Sequence, residues 1–347
     1  MSDINRQWIL ARRPVGAATR DDFDYREEPV PASWTLAPGH IVVRHSVFLH
    51  APTMRNWMDP PSNSLYPSVD LGAPMLSTSA GEVVASANPR FPVGSRVTTI
   101  GCWQDYSVVN ADVMPCRPVD DDLTLIEALG VVGMNALTAY MGVMKVGRPQ
   151  PGDIAVVSGA AGSTGSIAGQ LLKIQGCTVI GIAGSGDKCA RLVDELGFDH
   201  AIDYRSEDVE TRIRELAPSG VNVFFDNVGG DMLQAVVENT AKFCRIVLCG
   251  QIAGYTGSAP VPGPTNMMRI IYGSVTLQGF LLGDYEADIP AATRQLRQWV
   301  ESGQLAHRED LREGFDALPT TFSDLFSGAN DGTLMVVTSP EAREKRT

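Results

Sequence analysis

The 347-residue sequence predicts an α/β fold: a doubly wound parallel sheet joined to a second, strand-rich domain. Three observations carry this. Beyond about residue 121, apolar strand-like runs alternate with helical patterns. A burst of small residues, "GAAGSTG" (159–165), separates the first of those strands from the first helix. Between about 40 and 115 the chain instead shows short Val-, Ile- and Thr-rich runs divided by Pro and Gly. The length also favours two domains, because single cores stop growing near about 250–300 residues.

In chain order, the early strand-like runs are "HIVVRHSVFL", "GEVVAS", "VGSRVTTI" and "QDYSVVN". A long Pro-rich loop, "HAPTMRNWMDPPSNSLYPSVDLGAPML", separates the first two, and loops of that length in a compact domain tend to serve function. The apolar stretch 128–144 falls short of the roughly 20 residues of a membrane span and carries Asn135, so it predicts a buried helix. Six further strands are predicted at 153–160, 178–184, 200–204, 221–229, 244–250 and 274–280, with helical patterns between the first five. Strands apolar on both faces belong in a parallel sheet covered on both sides. After a helix in "ADIPAATRQLRQWVESGQL", a last strand (333–339) predicts a return to the first domain. The expected division is therefore 1–125 with 295–347, and 126–294.

Composition excludes several functions. A net charge of −12 disfavours nucleic acid and anionic membrane surfaces. The N-terminus has no apolar core of signal-peptide length, so the expectation is a soluble, cytoplasmic protein. Cys102, Cys116, Cys177, Cys189, Cys244 and Cys249 form no C-x-x-C pair and read as free thiols. His40, His45, His50, His200 and His307 are not spaced as a ligand set with cysteine, so no metal is expected. "G-x-S-x-G" is absent, and acyl transfer has no support. Asp120, Asp121 and Asp122 read as a solvated junction.

The small-residue break is the informative motif. Gly159-x-x-Gly162-x-x-Gly165 follows a strand and opens a helix, with Ala160 where the G-x-G-x-x-G dinucleotide fingerprint would have its first glycine. Amides opening that helix, around Ser163, point outward, and the helix dipole adds partial positive charge, which favours a pyrophosphate. A tight turn that binds nothing is the plain alternative, and the six ordered strands behind it weigh against it. At the end of the second strand, Gly184 and Ser185 stand where an NAD site places Asp or Glu, and Lys188 follows within reach of a 2′-phosphate. Asp187 reads as a helix cap. NADPH is the expected cofactor.

These residues, with "NRQWILARRPVG", "PTMRNWM", "LGVVGMNALTAYMGV", "FDNVGGDML", "CRIVLCGQIAGY" and "GANDGTLMVV", resemble the zinc-independent medium-chain dehydrogenases/reductases across nearly the whole chain. Leukotriene/prostaglandin reductases, alkenal double-bond reductases and curcumin-reductase-like enzymes are the similar branch. The resemblance implies a GroES-like β-barrel domain, a Rossmann domain and usually a homodimer. It implies that Lys188 and Tyr204 hold the 2′-phosphate, that Asn227 and Asn330 contact the cofactor, and that Tyr255 sits by the nicotinamide ribose and substrate carbonyl. It extends the cofactor site to Asn135, Thr164, Ser185, Gly250 and Phe280, and the substrate pocket to Thr53, Arg55, Trp57, Tyr66 and Tyr272. Two positions depart from the branch pattern: Thr53 replaces the tyrosine of "DPYMR", and Thr333 replaces a common lysine. Trp57 and Tyr66 in the long loop could refill the lost aromatic volume or simply pack.

The implied activity is reduction by NADPH of the C=C bond of α,β-unsaturated ketones or aldehydes without zinc, with the Tyr255 hydroxyl and a cofactor ribose hydroxyl stabilising the enolate oxygen. A quinone reductase, or an NADPH-binding protein without catalysis, stays open beside it.

Overall fold

The computed structural model describes residues 4–61, 67–257 and 261–346. The chain divides into two units, Met1–Gly130 with Glu309–Thr347, and Val131–Arg308. The return to the first unit comes at Glu309 rather than 295. The helix Ile289–Glu301 stays whole in the second unit, with Ile289, Ala292 and Leu296 buried and the Trp299 ring 6.1 Å from Tyr140.

The first unit is built on a seven-stranded sheet. His40–Leu49 pairs antiparallel with Leu76–Ser86, Tyr106–Asn110 and Thr333–Val337, and Arg96–Cys102 and Cys116–Pro118 continue beyond Leu76–Ser86. The apolar runs of His40–Leu49 are buried almost throughout, as expected of a central strand. Two pieces were not legible in the sequence. Ile4–Leu10 and Phe23–Pro29 form a hairpin, and Glu309–Glu313 lies parallel to Thr333–Val337. "FDYREEP" and "EDLRE" are too charged to signal strands; backbone pairing with an apolar neighbour holds them.

An aromatic cluster fills this unit: Trp8, Phe23, Phe48, Trp57, Trp103, Phe315 and Phe322 are all buried within it. The Trp8 indole N–H donates to the Phe315 carbonyl at 3.0 Å, so its polar end is satisfied. His45 and His50 are buried as well, and burial pushes each imidazole down to about 3. His50 still bonds the Leu318 carbonyl at 3.0 Å. The unfolded chain protonates these rings near pH 6.5 while the folded one does not, so stability is lost as pH falls below about 6.5. Each ring should remove about 1.4 kcal/mol per pH unit in that range. Urea unfolding at pH 7, 6 and 5 reads this, and a flat unfolding free energy would contradict it.

The second unit carries six parallel strands: Ile154–Val157, Thr178–Ala183, His200–Asp203, Val221–Asp226, Thr240–Leu248 and Thr276–Gly279. Numbered along the chain, their order is 3-2-1-4-5-6, the doubly wound Rossmann arrangement. Helices Ser163–Ile174, Gly186–Asp194, Val209–Leu216 and Gly230–Glu238 make the crossovers. The order reverses between Ile154–Val157 and Val221–Asp226, and ligands of such sheets bind beyond the carboxyl ends at that switch.

The stretch expected as one buried helix is broken. Leu125–Leu129 stops at Gly130, Met134–Met141 resumes after Gly133, and a wide turn, Gly142–Gly147, closes at Arg148 in left-handed conformation (φ 45°). Leu125–Gly147 is long and apolar enough by composition to cross a membrane, but most of it is buried inside the protein.

Candidate active site

The glycine turn owes its shape to two close approaches. Gly159 has φ +58°, which favours a residue without Cβ. A Cβ on Gly165 would lie 2.3 Å from the Gly159 carbonyl oxygen and 2.9 Å from the Ala160 Cα, so the helix start rests directly on the turn. Gly162 is the N-cap of Ser163–Ile174 and offers no side chain to cap it. Ser163 and Thr164 stand half-buried on the first helical turn. The Asn135 side-chain amide donates to the Ser163 hydroxyl at 3.0 Å and fixes it there. Backbone N–H groups at an uncapped helix start form a ready anion cradle.

Across the switch point lies a network the sequence reading missed. Asp226 is fully buried. Its Oδ1 accepts the Ser158 hydroxyl at 2.7 Å and the Val228 and Gly229 N–H groups at 2.9 and 3.0 Å. Burial pushes its carboxyl up, against the pull of these bonds. Ser158 in turn accepts the Asn227 N–H at 2.8 Å, and the Asn227 side chain donates to the Ser158 carbonyl at 2.7 Å. Asn227 is thereby tied to the residue that opens the glycine turn. The only sequence signal was an acid closing the apolar run "VNVFFD". Beside Asn227 stand Gly250 and Tyr255. A Cβ on Gly250 would lie 3.1 Å from the Asn227 carbonyl oxygen and 3.3 Å from the Tyr255 hydroxyl, which accepts the Gln251 N–H at 3.3 Å.

At the end of Thr178–Ala183 the helix cap is Ser185, whose hydroxyl accepts the Lys188 N–H at 3.3 Å. This corrects the expectation for Asp187, which sits in the first turn and complements the dipole instead. The Tyr204 ring occupies the space beside Gly184; a Cβ there would meet it at 3.0–3.2 Å. An acid of the NAD type at 184 would therefore have to displace Tyr204. Burial, then Arg191 and Arg205, lower the Lys188 ammonium below an ordinary lysine. A phosphate contact requires the charged form, so affinity for a 2′-phosphorylated nucleotide should fall on the alkaline side at a pH below 10.5. Lys188→Arg should remove that fall; a fall in the unsubstituted protein that begins no earlier than the titration of an ordinary lysine would contradict it.

The remaining expected residues are distributed as follows. The Phe280 ring is half-buried, and a Cβ on Gly142 would meet it at 2.8 Å. Tyr272 is 77% exposed on helix Met267–Gly273. In the first unit, Thr53 lies half-buried in the turn Pro52–Met58. Arg55, expected to line the pocket, is buried and committed elsewhere: it donates to the Gly16 and Pro14 carbonyls at 2.8 and 2.9 Å and pairs with Asp59 at 2.7 Å. Its guanidinium holds the chain entry at 14–16 in place. Trp57 packs in the aromatic core. Asn330 donates to the Gly332 carbonyl at 3.2 Å. Tyr66 lies outside the described residues. All six cysteines are free thiols, and among the described residues no three His, Cys, Asp or Glu come together as a metal set.

Two family models match: an N-terminal domain of oxidoreductase over residues 6–115, and a zinc-binding dehydrogenase over 163–300. The NADPH-dependent curcumin reductase of Escherichia coli is 33% identical over 338 residues, 96% of each chain. The chain belongs to the medium-chain dehydrogenase/reductase family. Within that family it falls in the branch of curcumin, prostaglandin and alkenal reductases. The NADP(+)-dependent 2-alkenal reductase of Nicotiana tabacum is 31% identical, covering 97% of this chain and 98% of its own. Among solved structures, CurA from Vibrio vulnificus in complex with NADPH superposes with a TM-score of 0.87 at 34% identity, covering 96% of this chain and 99% of that one. These medium-chain relatives are oxidoreductases that use NADPH.

Proposed function

We propose that this chain uses NADPH to reduce the C=C bond of an α,β-unsaturated ketone or aldehyde, without zinc. The observation that carries it is the Tyr255 hydroxyl, set beside Asn227 and Gly250 at the switch point and polarised by the Gln251 N–H. The residues present fit the cofactor. An uncapped helix start faces the switch point, and Lys188, with arginines near it, follows Gly184 and Ser185, where NAD enzymes place an acid.

When bound, the nicotinamide would supply hydride to the substrate β-carbon, and a proton delivered from solvent to the α-carbon would complete the saturated product. The chain's own part is electrostatic. Asn135 and Asp226 hold the glycine turn and Asn227 in place, and the Tyr255 hydroxyl donates to the substrate oxygen as negative charge builds there. The zinc-free reading is supported by the lack, among the described residues, of three His, Cys, Asp or Glu gathered as a metal set; zinc would otherwise polarise a simple ketone. A conjugated acceptor, whose charge is spread, suits such a site.

We further propose that the protein works as a homodimer. Thr276–Gly279 is the edge strand of the parallel sheet, and the neighbouring helix exposes Met267, Met268, Ile271 and Tyr272. An open edge beside an apolar patch favours pairing with a second copy. Light scattering should return about twice the chain mass.

The activity test is NADPH absorbance with a matched enone, a saturated ketone and a quinone. Turnover of the enone alone or foremost is expected; turnover of the quinone alone would reject the reading.

A further inference from the structure

The carboxyl ends of the first, fourth and fifth strands of the parallel sheet are joined through Asp226. It is the last residue of Val221–Asp226, and both it and Ser158 are fully buried. Its side chain reaches the turn after the first strand through the Ser158 hydroxyl, and it holds its own loop through the Val228 and Gly229 N–H groups. Its main-chain carbonyl reaches the loop after the fifth strand, accepting the Cys249 N–H at 2.9 Å and the Gly250 N–H at 3.1 Å. A buried carboxyl group is unfavourable unless its lone pairs are met, and here donors from two loops meet them.

From that junction the hydrogen bonds run on to Tyr255. The Ile252 N–H donates to the Asn227 carbonyl at 3.2 Å, and the Ala253 N–H to the Val228 carbonyl at 3.1 Å, so the corner 249–253 lies zipped to 226–228. Gly229 has φ +74°, and a Cβ there would lie 2.7 Å from the Gln251 Cγ, so the Gln251 side chain rests on that glycine. The Tyr255 N–H closes the corner on the Ile252 carbonyl at 3.2 Å, and its hydroxyl accepts the Gln251 N–H. The position of that hydroxyl therefore depends on how 226–229 is held.

We propose that Asp226 is a positioning residue for the reduction: through the loop 226–229 it holds the Tyr255 hydroxyl where negative charge builds on the substrate oxygen. The inference rests on the reading of Tyr255 given above. A misplaced donor matters most in the transition state, where that charge develops, so the loss falls on kcat.

The test is a double-mutant cycle on the full-length protein. Asp226→Asn keeps the volume and an acceptor at Oδ1 but sets an amide against the Gly229 N–H, which Oδ2 accepts at 3.2 Å. Single-turnover NADPH oxidation with a saturating enone should slow about tenfold, with the NADPH dissociation constant within about threefold. In a Tyr255→Phe background the same substitution should slow the reaction by about twofold or less, because the hydroxyl it misplaces is already gone. Ser158→Ala, which takes the hydroxyl from Asp226, should repeat the pattern at smaller size, and it decides the matter if Asp226→Asn does not fold. Equal slowing in both backgrounds would show a merely structural brace. That result, an unchanged rate, or a loss confined to NADPH affinity would each overturn the proposal. An unchanged rate in Tyr255→Phe by itself would overturn the reading of Tyr255, and the proposal with it.

Discussion

Gly165→Ala should weaken cofactor binding at least about tenfold and destabilise the protein by about 1–3 kcal/mol. The new Cβ would stand 2.3 Å from the Gly159 carbonyl oxygen and 2.9 Å from the Ala160 Cα. Both are backbone atoms, so no side-chain rotation relieves the clash and the glycine turn itself must move. Moving it shifts the amides at Ser163 and Thr164 and strains the Asn135–Ser163 bond. Gly186→Ala is the control: a Cβ there meets nothing within 4 Å, so binding and stability should hold or improve slightly. Titration with NADPH and thermal unfolding of both variants check the pair. Gly165→Ala behaving like Gly186→Ala would contradict the close approach.

Tyr255→Phe should lower kcat about tenfold or more while leaving the NADPH dissociation constant within about twofold. The substitution removes one hydroxyl and little volume, so it tests a bond made mainly in the transition state. It also takes away the acceptor of the Gln251 N–H beside Gly250, so the cofactor titration checks that this loop keeps its place. Steady-state kinetics with an enone, paired with cofactor titration, separate the two quantities. An unchanged kcat would take Tyr255 out of the mechanism.

Much of the second unit was legible because its signals are local. Each parallel strand is an apolar run bounded by turn residues, and Gly159, Gly162 and Gly165 announce a turn that needs no tertiary knowledge. The expected strand 221–229 was too long by three residues, since Asn227 and Val228 leave the sheet to serve the switch point. What the sequence hid depends on partners far along the chain. Asp226 gains its meaning from Ser158, 68 residues earlier. Glu309–Glu313 is a strand only because Thr333–Val337 pairs with it. Arg55 and Trp57 show an ambiguity of another kind: residue types suited to a pocket are equally suited to bracing and to core packing, and here Arg55 is buried on the Pro14 carbonyl and Trp57 in the aromatic cluster. Ser185 rather than Asp187 caps its helix, a two-residue ambiguity that composition alone does not resolve.

Transfer of label from NADPH carrying deuterium at both C4 positions to a 2-alkenal, read by NMR of the product, goes directly to the chemistry. One deuterium on the β-carbon of a saturated aldehyde is the expected result. Deuterium on the carbonyl carbon of an allylic alcohol, or product without label, would contradict C=C reduction by hydride at this site.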